Sequence, residues 1–158
     1  MDLVSKYLWL FLLSMVPVAE LRASIPFGHL NDLSPVLTYL LSVLGNFLPV
    51  PFILLFMRQI LAWMKRVKHL DKIALFLERK AEKNKGKIMK YATLGLLLFV
   101  AVPLPGTGAW TGALVASLMN MRMKYALPSI LAGILIAGAI VTLVSWGTLS
   151  FLSFFLAI

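Results

Sequence analysis

The apolar positions of this chain come in blocks punctuated by proline and glycine more often than by charge. Leu3 to Val16 is apolar over about 14 residues, roughly 21 Å as a helix, short of a hydrocarbon core of about 30 Å. Pro17 ends it. A second short segment, Glu20 to Phe27, leads into a turn rich in helix breakers: Gly28, Asn31, Asp32, Ser34 and Pro35. Two short halves around a break predict a re-entrant hairpin that dips into a membrane and returns to the same side. Val36 to Met57 is long enough to span, with a kink expected at Gly45 and Pro49-Val-Pro51, because each proline removes a helical hydrogen bond.

The second half repeats the plan. Tyr91 to Val102 is again too short to span and stops at Pro103-Leu-Pro-Gly-Thr-Gly-Ala-Trp-Thr-Gly112. A short return, Ala113 to Met121, ends at Arg122 and Lys124. Tyr125 to Ile158 then carries no charge; its 34 residues would measure about 51 Å as one helix, so it is expected to tilt strongly or to break near Gly147. Val16-Pro17 aligns with Val102-Pro103, which sets Glu20 opposite Gly106 and Arg22 opposite Gly108. Between the halves, Leu70, Ile73, Ala74, Leu77 and Ala81 form an apolar stripe among Lys68, Lys72, Arg79, Lys80 and Lys83. That spacing predicts an amphipathic helix on a membrane surface, broken at Asn84-Lys-Gly86.

Composition fixes the environment. The chain is 61% hydrophobic and 13% charged, whereas a soluble domain carries about 25% charge. The expected fold is an all-α integral membrane protein of one membrane domain, residues 1–158. Repeat one covers about 1–64, a basic amphipathic linker about 65–90, and repeat two about 91–158. Each repeat is a re-entrant helical hairpin followed by a long, kinked transmembrane helix. The N-terminus lacks a good cleavage site after its apolar stretch, so it is expected to stay in the mature protein.

Charge then sets the topology. The net charge is +9, and of the fifteen Lys and Arg residues only Lys6, Arg22, Arg122 and Lys124 lie outside Arg58–Lys90. Such clustering is the mark of a cytoplasmic loop and argues against nucleic-acid binding; anionic lipid headgroups are its ordinary partner. If each half crosses once, the halves are inverted, and Arg58 to Lys90, Arg122 and Lys124 share the inner side. A plain four-span topology would put Arg122 and Lys124 outside. Inverted repeats with discontinuous helices meeting near the midplane are a recurring transporter architecture.

Few residues could carry chemistry. Cysteine is absent, which excludes disulfides and thiol sites. No nucleophile–base pair, phosphate loop or metal-ligand spacing occurs, so no enzyme activity, cofactor or metal is expected. Glu20 and Arg22 stand out, because charges in apolar sequence persist by pairing or by lining a wet cavity. Glu20 could exchange a proton or sodium ion, or simply pair with Arg22 or cap a helix. Arg22 could grip a phosphate or carboxylate through its planar fork, or snorkel to the headgroups. Pro103, Pro105, Gly106 and Gly108 forbid regular helix, and irregular backbone at membrane depth lies buried in protein or lines a cavity. Its amides could favour an anion, with Thr107, Trp110 and Thr111 adding hydrogen bonds; a tightly packed hairpin tip is the alternative. Arg122 and Lys124 are topology determinants and candidate headgroup contacts. The small residues Gly133, Ala137 and Gly138 point to helix packing.

The run Pro-x-x-Glu-x-Arg-x-x-Ile-Pro at Pro17 to Pro26, with Pro-Leu-Pro-Gly-Thr-Gly-Ala-Trp-Thr-Gly at Pro103 to Gly112, resembles the small multi-drug export protein family over nearly the whole chain. That family resembles a branch of the DedA superfamily. The resemblance implies two inverted re-entrant hairpins and movement of lipids, including polyprenyl phosphate carriers, across the bilayer, with membrane acidic and basic residues required. The family name implies drug export. The chain departs from the DedA pattern in having no acid in its second hairpin.

The leading expectation is therefore a small, multi-pass transporter of a prokaryotic inner membrane, proton- or ion-coupled, moving a lipid-like anionic substrate. Residues 65–90 would be cytoplasmic, membrane lipids its surroundings, and a homodimer its assembly by analogy. The rivals are a proton-coupled exporter of cationic drugs, which Arg22 would disfavour by repulsion, and a non-transporting structural or assembly protein.

Overall fold

A computed structural model describes residues 2–64, 85–104 and 106–156. Most of the expected linker helix, and Pro105, lie outside the described residues. The described chain is helical throughout: α1 (Leu3–Met15), α2 (Glu20–Leu30), α3 (Pro35–Phe47), α4 (Pro49–Met64), α5 (Lys85–Ala101), α6 (Ala109–Leu118) and α7 (Met123–Leu156). Pro35–Met57 and Met123–Gly147 are long and apolar enough to cross a membrane, whereas α1 and α6 are too short.

Most boundaries follow from local chemistry. Pro35 opens α3 at its first turn, where a missing N–H leaves no helical bond unmade. Pro49 and Pro51 likewise fall in the first turn of α4. The expected kink is thus a joint at Leu48, which keeps helical dihedrals and donates its N–H to the Leu44 carbonyl. Two expectations need correction, and a third is narrowed to one of its alternatives. The helix begun at Tyr91 starts at Lys85 and contains Gly86. The return helix begins at Ala109, four residues early. The last helix passes through Gly147 without a break, since a glycine weakens a helix by only about 1 kcal/mol.

The first inter-helix break, residues 16–19, is four residues long, and the second, 102–108, is seven. The two halves therefore fall out of register at this point. Counted from the helix starts, Glu20 corresponds to Ala109, not to Gly106.

Small residues let the helices close up. A Cβ on Gly45 would overlap Ser14 of α1, and one on Gly133 would lie 2.6 Å from Val100 of α5. So α1 lies along α3 and α5 along α7. Tyr39 of α3 donates its hydroxyl to the Leu135 carbonyl at 3.1 Å, and His29 meets Trp146 edge-on at 4.6 Å. With Gly138 against Tyr39 and Val43, these contacts run α7 antiparallel to α3. Leu21, Ile25, Val43, Val100, Ala113, Ile130 and Ile134 belong to one buried cluster joining both halves.

Candidate functional site

Glu20 is the first residue of α2 and lies deep in the protein, only 4% exposed. The backbone places it there by an unusual route. Val18 and Glu20 both have positive φ, 76° and 49°, conformations that side-chain-bearing residues adopt at a cost and that cluster at functional sites. The turn swings the carboxylate onto the start of α6. Oε1 accepts the Trp110 amide at 3.2 Å, and the Ala109 amide and the Asn46 side-chain amide face the same group. A free helix N-terminus presents unpaired N–H groups and a positive dipole end. Glu20 fills that position on α6 from another helix.

Gly108 makes room for it. It precedes α6 with φ 136°, and a Cβ there would collide with the Glu20 carboxylate. Gly106 has φ 81° with open space around it. It is the third residue of a turn closed by the Thr107 amide on the Leu104 carbonyl at 3.2 Å, the position at which a type II turn requires glycine.

Arg22 reaches the same loop. One guanidinium nitrogen donates to the Leu104 carbonyl, and the other to Thr107 Oγ1 at 2.7 Å. Thr107 Oγ1 in turn lies 2.7 Å from the Val102 carbonyl and accepts the Leu104 amide at 3.3 Å. Glu20 and Arg22 therefore do not hold one another; each holds a different part of the second hairpin's break. The second hairpin reciprocates, since Trp110 Nε1 donates to the Met15 carbonyl at the end of α1, at 3.1 Å. That carbonyl is one that a helix C-terminus leaves unpaired.

The remaining expected site residues divide clearly. Thr111 bonds only locally, to the Gly108 carbonyl at 3.5 Å. Pro103 is half-buried just beyond α5, beside this cluster. Arg122 and Lys124 are exposed at the start of α7, with Lys124 over its neighbour Tyr125 at 4.9 Å, and take no part in it.

A second set of polar residues escaped the sequence reading. Glu20, Ser24 and Gly28 stand four apart on α2; Thr38, Ser42 and Asn46 stand four apart on α3. The two rows meet rung by rung: Asn46 faces the Glu20 carboxylate, Ser24 and Ser42 share a hydrogen bond at 2.7 Å, and Thr38 lies against Gly28. All are buried, Asn46 at 1% exposure. Asn46 Oδ1 and Thr38 Oγ1 have no hydrogen-bond partner. The signal in the sequence was polar residues at a four-residue spacing on both sides of one turn.

The family model described as Putative small multi-drug export protein matches residues 20–140. The chain belongs to that family. The match begins at Glu20, just after the first break, and takes in the second. No curated protein and no solved structure matches the chain.

Proposed function

We propose that this protein is a proton-coupled transporter of an amphipathic anion, with a lipid phosphate such as a polyprenyl phosphate as the natural candidate. The observation that carries the reading is that a buried carboxylate occupies the N-terminus of α6, a place suited to an anionic ligand, while Arg22 is held beside it. Glu20 acts there as a built-in substitute for substrate. When Glu20 takes a proton, it loses its charge and its hold on the α6 amides. The substrate's anionic group then takes those amides and the Arg22 fork, which suits phosphate bidentately. Loss of the proton returns Glu20 to the amides and expels the substrate. No covalent step is needed, so the chain is read as a carrier and not an enzyme.

The alternation needs two bodies, and the halves are read as inverted repeats, each a re-entrant hairpin and a span. Supporting this, α1 follows α3 as α5 follows α7, and α3 and α7 run antiparallel. On this reading residues 65–90, Arg122 and Lys124 lie on the cytoplasmic side of a prokaryotic inner membrane, which the clustering of positive charge supports, with lipids as partners and, by analogy, a homodimer as the assembly.

The test is translocation of a fluorescent phosphate lipid and of a lipophilic cation by purified protein in liposomes. The phosphate lipid is expected to move faster under an imposed pH gradient, and Glu20→Gln and Arg22→Ala to abolish the gradient effect. Normal, gradient-sensitive transport by Glu20→Gln would end the coupling claim, and transport of the cation alone would favour a cationic-drug exporter. One observation favours a purely structural reading: both charged side chains find protein partners. Under that reading, replacing both by neutral residues restores whatever either single replacement loses.

A further inference from the structure

Beyond Glu20, the row of residues paired between α2 and α3 has no role in the binding step just described. Its chemistry and its spacing both point to one. Oxygen- and nitrogen-bearing groups buried between two apolar helices cost stability unless they are bonded, and buried polar groups are bonded in the great majority of cases. Here Asn46 Oδ1 and Thr38 Oγ1, at the two ends of the row, find no partner. Apolar residues of similar size would pack as well without that cost, as the second half illustrates. Counted from the helix starts, the positions equivalent to Thr38, Ser42 and Asn46 are Ala126, Ile130 and Ile134, all fully buried.

The rungs are four residues apart on each helix, about 6 Å along the axis. That is too far for one hydroxyl to reach the next, but it equals two hydrogen bonds of about 2.8 Å end to end. A single water between successive rungs would bridge them, and bridging waters satisfy buried polar groups that lack a protein partner. One end of the row is the Glu20 carboxylate. The other, Thr38 and Gly28, adjoins the α2–α3 turn, where His29, Asn31 and Asp32 lie.

We infer that this row is the path by which the proton travels between Glu20 and the α2–α3 end of the molecule. It rests on the reading of Glu20 as the group that exchanges a proton. At each step a water or hydroxyl oxygen accepts one proton and releases another, so that only O–H bonds form and break. One proton enters at the Thr38 end, and one arrives on the Glu20 carboxylate. Asn46 does not relay; its carbonyl oxygen holds the last water beside Glu20. The charged group whose field reaches Glu20 is Arg22 on the same helix. On the elements packed against α2, the titratable side chains are Lys6 and Tyr7 of α1, Tyr39 of α3, and Lys124 and Tyr125 of α7. None of these is hydrogen-bonded to a member of the row.

The experiment follows the infrared carbonyl band of protonated Glu20 in the full-length protein in liposomes after a rapid drop in pH. The band is assigned by its absence in Glu20→Gln. Ser42→Ala and the isosteric Thr38→Val are expected to leave the final amplitude unchanged and to slow its appearance about tenfold each, the scale of one hydrogen-bonded link removed from the proposed path. Thr38→Ser, which keeps the hydroxyl, should restore the rate, and Ile130→Val in the other half should not alter it. Should Thr38→Val fail to fold, Ser42→Ala decides alone, since it removes one oxygen and leaves no clash. A titrating band with unchanged rates in Ser42→Ala overturns the path and leaves the coupling reading standing. A band that never appears at any pH overturns both.

Discussion

The two halves of this protein solve the same packing problem with opposite chemistry. In the first half, α2 and α3 meet through Glu20, Ser24, Thr38, Ser42 and Asn46, a buried polar seam with two oxygens left unbonded. In the second, α6 packs on α7, and the positions counted as equivalent to these five are Ala109, Ala113, Ala126, Ile130 and Ile134, equally buried and apolar, while the counterpart of Gly28 is Ser117, whose hydroxyl is spent on the Ala113 carbonyl of its own helix at 2.8 Å. The apolar version shows that helix packing does not require the polar one. A seam that costs stability without being needed for packing is where function is expected to reside. The breaks differ in the same sense. The first hairpin carries the charges, and the second carries the uncharged, glycine-rich loop that receives them.

The sharpest way to break this comparison is to remove the seat itself. Gly108→Val forces a β-branched residue into φ 136° and drives its side chain into the Glu20 carboxylate. A loss of several kcal/mol is expected, enough to prevent folding, read as failure to recover a monodisperse protein in detergent. Gly106→Ala, with equally special backbone but open space, should cost only about 1 kcal/mol. Equal losses would show that strain, and not the meeting with Glu20, makes Gly108 necessary.

Next in size is transplanting polarity into the apolar half. Ile134→Asn places an amide without partners at the position equivalent to Asn46, and a loss of about 2–4 kcal/mol is expected, measured by thermal unfolding in detergent. The converse, Thr38→Val, removes an oxygen that is already unbonded and should leave stability unchanged or slightly raised. A large loss in Thr38→Val would mean that its hydroxyl is structural.

Arg22→Ala removes two hydrogen bonds to the Leu104–Thr107 turn. About 2 kcal/mol is expected, and Arg22→Lys should recover less than half of it, because an ammonium cannot reproduce the fork. The Ser24–Ser42 bond is smaller: a double-mutant cycle of the two alanine replacements should give a coupling of about 0.6–1.7 kcal/mol. Gly147→Ala is the smallest effect, a gain of no more than about 1 kcal/mol from helix propensity, because nothing lies near enough to clash.

Much of this protein was legible before the structure. The short apolar blocks, the breaks near Pro17 and Pro103 and the long span after Pro35 all follow from local rules, namely hydropathy, proline and glycine. The boundaries that were misplaced, at Lys85 and Ala109, are those where such rules are weakest, since glycine discourages a helix without forbidding it. The partner of each charge was not legible. Two positions apart in sequence, Glu20 and Arg22 invited pairing with each other, yet each reaches a group more than eighty residues away.

The sequence by itself thus determined the environment, the helices and the identity of the costly residues, because these depend on each segment's own transfer free energy and backbone preferences. Only the tertiary structure decided that a glutamate caps a distant helix, that Trp110 closes the end of α1, and that six residues on α2 and α3 meet rung by rung. Those pairings depend on helix register and approach distance, which many segments set together through packing and which no local stretch encodes.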